Sequence, residues 1–283
     1  MKRATTIKQD LVAIHTVEDL TEVFESIASL HIAKIRNRVV ASKEFFAELW
    51  PIYRGLRVDP AQRLKRQHVK SGRNVFVAVT ADSKLSGEID QQVISTLIQA
   101  YKDTKDTDIL VIGTKGTAQI QAAGLKVAGT FPLPASDVSF SVSDILQALA
   151  PYDKIAVFYQ TYESLRLQKI ARIDLISAVR ALGEDVGEEG ETVSSRGYIF
   201  EPGLDTIANY MESVMMGVAL IQIIMESKLA QYAARFNAMN AAKRRAEKLT
   251  GEFRTSYYRA KRAESDERLK ETLKIGRKAG AIQ

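Results

Sequence analysis

The sequence predicts a mixed α/β protein in which long N- and C-terminal helices form an antiparallel coiled coil and flank a parallel-sheet, Rossmann-like α/β domain. Three observations carry that prediction. From Leu204 to Lys278 there is no proline, and an apolar stripe (Leu204, Ala208, Met211, Met215, then on to Phe253, Tyr257 and Ala260) recurs every three or four residues. The first fifty residues carry a shorter stripe of the same period. Between the two, short β-branched runs alternate with helical segments, as strands do when crossover helices cover both faces of a sheet.

The C-terminal stretch would reach roughly 110 Å as one helix, far beyond the diameter of an ordinary globule of this mass. It must therefore pack along a partner. The N-terminal segment, Ile7 to Trp50, supplies one: Ile7, Leu11 and Ile14 set a stripe that Leu20, Phe24, Ile27, Leu30, Lys34, Ile35 and Val39 resume. The phase slips at Thr16–Asp19, either as a capping box or as a stutter in a continuous helix. The immediate return of the pattern favours the stutter. Pro51 marks a break that ends an N-terminal unit at about residue 60, and a basic linker follows over 61–73.

The α/β domain is expected over 74–202. Strands are read at Val75–Val79, Ile109–Ile112, Leu125–Gly129 and Lys154–Tyr159. Helices are read through Ile89, Val93, Leu97 and Ile98, and at Ser143–Leu149. Gly183–Ser195 reads as an acidic, glycine-rich surface loop and Tyr198–Phe200 as an edge strand, before the long helix of 203–283.

Composition narrows the function classes. The chain has 283 residues, 46% of them apolar, and no cysteine, which excludes disulfides, thiolate catalysis and thiol switching. The richest apolar run, Val214–Met225, is short for a membrane span and is interrupted by Gly217 and Gln222. Residues 1–10 lack the apolar core of a signal peptide. Net charge is only +6, yet Arg235–Lys278 holds 14 Lys/Arg against 6 Asp/Glu, a basic strip suited to an acidic protein surface or to nucleic acid.

Little in the chain resembles a catalytic centre. Gly113-Thr114-Lys115-Gly116 lies between a strand and a helix but matches neither phosphate-binding glycine pattern, so a tight turn is the preferred reading. Asp82, Ser83 and Lys84 fall at the carboxyl end of the first strand without a histidine base beside them. The histidines (His15, His31, His68) show no metal-ligand spacing, and neither a cofactor nor a metal is expected. Met211, Met215, Met216, Met225 and Met239 read as seam-filling residues in preference to an adaptable groove.

Local motifs point further. Ala233-Ala234-Arg235-Phe236-Asn237-Ala238-Met239-Asn240-Ala241-Ala242 resembles the A-A-R-x-x-A-M-x-x-A signature of the gamma subunit of F-type ATP synthases. Tyr258 and Arg262 match that family's Y-N-x-x-R, Ile112–Gly116 its I-G-x-K-G, and Asp82-x-x-Leu85-x-Gly87 a worn D-R-G-L-C-G. The stretch from Leu20-Thr21 to Ile27-Ala28 echoes its I-T-K-A-M-E-x-V-A. The likeness covers the whole chain in order, with departures at Ala263, Asp266, Glu267, Ala230-Gln231 and the basic tip.

The resemblance implies a non-catalytic central-stalk rotor. Its partners would be three alpha and three beta subunits of the catalytic head, an epsilon-type subunit and a membrane c-ring, at the cytoplasmic face of a bacterial cell membrane. It further implies head contacts by Arg235, Lys243, Arg244, Arg245, Arg259 and Arg262, and a rotor seam of Met211, Met215, Met225, Phe236 and Met239. Two rivals are a small α/β nucleotide-binding enzyme with a coiled-coil oligomerisation arm, whose ligand would sit at Thr80–Gly87 or Gly113–Gly116, and a nucleic-acid-binding scaffold.

Overall fold

In the computed structural model, helix α1 runs unbroken from Ala4 to Gly55 and helix α6 from Leu204 to Gly280. The structure describes residues 4–55, 72–82, 88–104, 107–134, 140–185, 201 and 203–280. Between the two helices lie β1 (Asn74–Val79), α2 (Ile89–Asp103), β2 (Thr107–Ile112), α3 (Thr114–Ala122), β3 (Gly129–Phe131), α4 (Ser143–Leu149), β4 (Lys154–Tyr162), β5 (Gln168–Asp174) and α5 (Leu175–Asp185). By spatial contact the chain divides into two compact units, Met1–Ile27 with Phe236–Gln283, and Ala28–Arg235.

The stutter at Thr16–Asp19 leaves α1 intact. Thr16 Oγ1 donates to the Val12 carbonyl (3.0 Å) and Thr21 Oγ1 to that of Glu18 (2.8 Å), so both hydroxyls bond back along the helix. The break expected at Pro51 is absent, since the proline lies inside the helix. A proline there removes one ladder bond, but Phe46, Trp50 and Tyr53 are buried at 1%, 8% and 0% exposure. Burial worth about 1.5–3 kcal/mol per large apolar side chain outweighs that loss.

In the Ala28–Arg235 unit, the five-stranded sheet has the order β3-β2-β1-β4-β5. β1 to β4 are parallel, and β5 pairs antiparallel with β4, with Tyr162 opposite Gln168 and Ala156 opposite Asp174. The period-2 alternation of strand side chains sends Phe76, Ala78, Ile109, Val111 and Phe158 to one face, against Val93 and Leu97 of α2 and Ile120 of α3. Val75, Val77, Val79, Ile112 and Val157 go to the other, against α4, α5, the end of α1 and Met215–Ile224 of α6.

Three readings of the sequence are corrected here. The third strand is not Leu125–Gly129 but Gly129–Phe131. Gly124 (φ 78°) ends α3 in the left-handed region, and the Leu125 amide donates to the Ile120 carbonyl (3.2 Å). Leu125 therefore caps the helix with an apolar contact, and the sheet ladder opens only at Ala128, which donates to Ile109 (2.7 Å). β5 and α5 lie where the sequence predicts no element, and α5 takes up Gly183–Asp185 of the expected loop. Finally, α6 does contain an 18-residue window of mean hydropathy 1.5, long and apolar enough to cross a membrane; half of it is buried within the protein, as a core helix would be. The linker over 61–71, the remainder of the acidic loop from 186, and the Tyr198–Phe200 strand lie outside the described residues.

Gly183 of α5 sits face to face with the indole of Trp50. A Cβ there would fall 2.2 Å from Trp50 Cζ2. Gly183→Ala should destabilise this unit by about 1–3 kcal/mol through overpacking, read as a lower denaturant midpoint.

Candidate functional site

Helix α1 meets α6 antiparallel in each unit. In the Met1–Ile27/Phe236–Gln283 unit, the Ala4 amide donates to Glu264 Oε1 (2.9 Å), Lys243 Nζ lies 3.6 Å from Glu22, and Asn240 Nδ2 donates to Glu25 Oε1 (3.1 Å). Ala4 and Ile7 pack on Ala260, Phe253 and Tyr257. In the Ala28–Arg235 unit, Ile35 packs on Met225 and Leu229, His31 stacks on Tyr232 with ring centroids 4.5 Å apart, and Tyr53 Oη donates to Glu212 Oε1 (2.8 Å). The two stripes are thus buried on one another only in part. Ile7 and Ile35 of α1 are buried, but Leu20, Phe24, Ile27 and Leu30, expected to resume the stripe after Thr16–Asp19, are exposed, and Thr21 and Ala28 are the buried residues of that stretch.

The expected contact residues separate into two groups. Arg244, Arg245, Arg259 and Arg262 are exposed, while Lys243 is partly covered and paired with Glu22. Side chains that stand in water on a rigid helix are free to meet a partner. Arg235 differs: it is half-buried in the sheet-containing unit, with its guanidinium 5.2 Å above the Tyr232 ring. The seam residues also divide. Met215 (0% exposed) belongs to the sheet-facing core and Met211 packs beside it. Met225 packs on Ile35 of α1, and in the other unit Met239 is buried and Phe236 half-buried. Periodicity alone gave no way of telling which of two neighbours, sheet or helix, a given methionine would meet.

α1 also presents large apolar side chains to solvent, with Val12, Leu20 and Val23 each more than half exposed. This is a face the chain does not cover among its described residues.

The turns at the carboxyl ends of β1 and β2 are where a doubly wound sheet would take a nucleotide. Here protein groups occupy them. The Thr114 amide donates to Asp82 Oδ1 (2.6 Å), the Lys115 amide to the Ala81 carbonyl (3.3 Å) and the Gly116 amide to Thr80 Oγ1 (3.1 Å). These are the amides a phosphate would need. At the reversal point of strand order, Asp90 (2% exposed) accepts from the Ala81 amide (3.0 Å) and Gln160 Nε2 (3.1 Å), with Lys115 Nζ at 3.4 Å. Ser227 of α6 donates to Gln160 Oε1, and Gln231 Nε2 to Ser227 Oγ (3.1 Å). The crevice is therefore filled by a buried polar network that ties α6 to the sheet. Among the described residues no cluster of His, Asp and Glu could hold a metal ion.

At the opposite end of the strands, Asp108 accepts from Tyr152 Oη (2.8 Å) and Arg73 Nη2 (2.6 Å), which together hold its carboxyl below the usual range. Burial and the Asp108 bond push the Tyr152 phenol up, and burial, with the Glu226 charge, pushes Tyr159 far above its ordinary value. A raised phenol pKa means stability that is complete below the ordinary tyrosine range and is lost as pH rises beyond it. Spectrophotometric titration from about pH 10 upward should show Tyr159 ionising only as the protein unfolds.

Comparison with known proteins fits this arrangement. The ATP synthase family model matches residues 3–272, and the chain belongs to that family. Among similar proteins, the ATP synthase gamma chain of Clostridium beijerinckii is 22% identical over 94% of this chain and 95% of its own length. That of Chlorobium phaeobacteroides is 24% identical over 91% and 92%. A chain of the Euglena gracilis mitochondrial ATP synthase (OSCP/F1/c-ring, rotational state 3) shares the fold at a TM-score of 0.62 and 16% identity, covering 95% of this chain and 93% of that one. The Tetrahymena thermophila mitochondrial central stalk/c-ring structure gives 0.57 at 16%, over 79% and 99%. The gamma-chain resemblance seen in the motifs is thus shown across the full length, and with it the standing of a non-catalytic subunit.

Proposed function

We propose that this chain is the central-stalk rotor of an F-type, proton- or sodium-translocating ATP synthase, coupling rotation of a membrane ring to conformational change at catalytic sites on other subunits. The observation that carries the reading is the antiparallel pairing of α1 with α6, which seals an apolar seam and leaves basic residues of α6 in water. An asymmetric axle turning among three identical sites biases each toward a different conformation, because its contacts differ at each. Its partners are three alpha and three beta subunits, an epsilon-type subunit and the c-ring. Exposed Val12, Leu20 and Val23 suit burial inside such an assembly.

The chain is a peripheral component of its membrane complex, and we place it on the cytoplasmic face of a bacterial cell membrane. Its working parts are the N-terminal helix (1–60), the linker (61–73), the α/β domain (74–202) and the C-terminal helix (203–283). Head contacts fall to Lys243, Arg244, Arg245, Arg259 and Arg262, with Arg235 contributing from its half-buried position. An affinity tag on this chain tests the assignment: native mass spectrometry should find one copy with three copies each of two P-loop subunits. A self-sufficient homodimer that turns over a ligand would sink it.

A further inference from the structure

Helix α6 is held to the sheet in two chemically different ways. Over Met215–Ile224 the contact is apolar, with Met215, Val218, Leu220 and Ile224 buried in the core on one sheet face. Such contact is non-directional, since it depends on area removed from water and not on angle. One turn further on, the same helix becomes polar while staying buried. Ser227, Lys228 and Gln231 are 0%, 3% and 4% exposed. Gln160 of β4, which meets them, is 0% exposed.

The bonds of these groups point in two directions. Ser227 Oγ donates to Gln160 Oε1, and Gln231 Nε2 lies 3.5 Å from the same oxygen. Gln160 Nε2 is held in turn by Asp90, which is paired with Lys115. Lys228 follows Ser227 by one residue, about 100° further round the helix. Its Nζ donates to the Pro134 carbonyl beyond β3 (2.8 Å). α6 is thus bonded to β4 on one side and to the segment after β3 on another. Surface groups of a helix stand about 5–6 Å from its axis, so a turn of about 20° about that axis displaces them by about 2 Å. A displacement of that size breaks these bonds, whereas apolar neighbours can repack after it.

We propose that Gln160, Ser227, Gln231 and Lys228 form a torsional lock, which fixes the rotational setting of α6 on the sheet. Buried polar groups specify register because a wrong setting leaves donors and acceptors unsatisfied. The use of the lock rests on the rotor reading: torque applied to the α/β domain turns α6 without slip.

The test uses the full chain, which has no cysteine, with spin labels at Gln99→Cys on α2 and Ser213→Cys on α6, both exposed positions. Double electron–electron resonance should give one narrow label-to-label distance distribution. Gln160→Leu, Ser227→Ala and Gln231→Leu together replace both sides of the β4 bonds with apolar groups, so the fold should persist. The distribution should then broaden or shift by about 2 Å or more. Lys228→Met, the milder variant, should act in the same direction, and it decides the matter if the triple variant does not fold. Ile223→Val weakens the apolar contact instead, and should lower the denaturant midpoint while leaving the distribution as in the parent. An unchanged distribution in the folded lock variants, or an equal broadening in Ile223→Val, would overturn the lock. Rotation plays no part in this measurement, so a chain that never turns in its complex would sink the rotor reading and leave the lock standing.

Discussion

Replacing Gly113 with alanine should destabilise the sheet-containing unit by about 3–5 kcal/mol, among the largest effects expected of one methyl group. Two causes add. Gly113 has φ 99°, in the region that side chains rarely adopt, at a cost of order 1–3 kcal/mol. The new Cβ would also sit 1.9 Å from the Thr80 carbonyl oxygen. Neither side can yield, because the Thr80 amide is bonded to the Ile112 carbonyl (2.7 Å) and the Gly113 amide to that of Phe131 (2.8 Å). Gly124→Ala is the control: its φ is 78° but nothing lies within 4 Å of the added Cβ, so a loss of only about 1 kcal/mol is expected. Denaturant unfolding of the two variants separates strain from collision.

Reversing the charges of Lys243, Arg244, Arg245, Arg259 and Arg262 together should weaken coupling far more than folding. The four arginines are exposed, and Lys243 pairs across solvent with Glu22, itself 67% exposed. Surface changes of this kind alter stability by about 0.5 kcal/mol or less each, and an exposed ion pair contributes about 1 kcal/mol at most. The proposed head contacts instead require these charges to meet acidic surfaces of partner subunits as the rotor turns. Coupling, measured as ATP synthesised per unit of ion-motive force in the reassembled complex, should fall roughly tenfold, or about 1.4 kcal/mol. The thermal midpoint of the isolated chain should move little. Unchanged rotation and assembly would count against these residues as contacts.

Much of this architecture was legible in the sequence because it rests on repeated signals. The helical period of α1 and α6 extends over many turns, so a local slip at Thr16–Asp19 or a proline at position 51 could not hide the two helices, but the slip did shift the buried face: Leu20, Phe24, Ile27 and Leu30 are exposed where Thr21 and Ala28 are buried. β1, β2 and β4 declare themselves as nearly uninterrupted apolar runs. What escaped rests on single residues or on tertiary context. β5 alternates Lys169, Ile170, Ala171, Arg172 and Ile173 along a half-covered edge, a weaker signal than a buried strand. Leu125 looks like strand but serves as a helix-capping contact, a choice made by Gly124. The filled crevice depends on Asp90, Gln160, Ser227 and Gln231, which lie up to 141 positions apart in the numbering and signal nothing locally.

The rotor claim is tested most directly by watching the chain turn. Because the sequence has no cysteine, a Gln99→Cys substitution on the exposed face of α2 gives one unique attachment point for an optical probe. In the assembled, surface-anchored complex supplied with ATP, the account predicts unidirectional rotation of that probe with three dwell positions per turn. A probe that stays fixed while the complex hydrolyses ATP would contradict it.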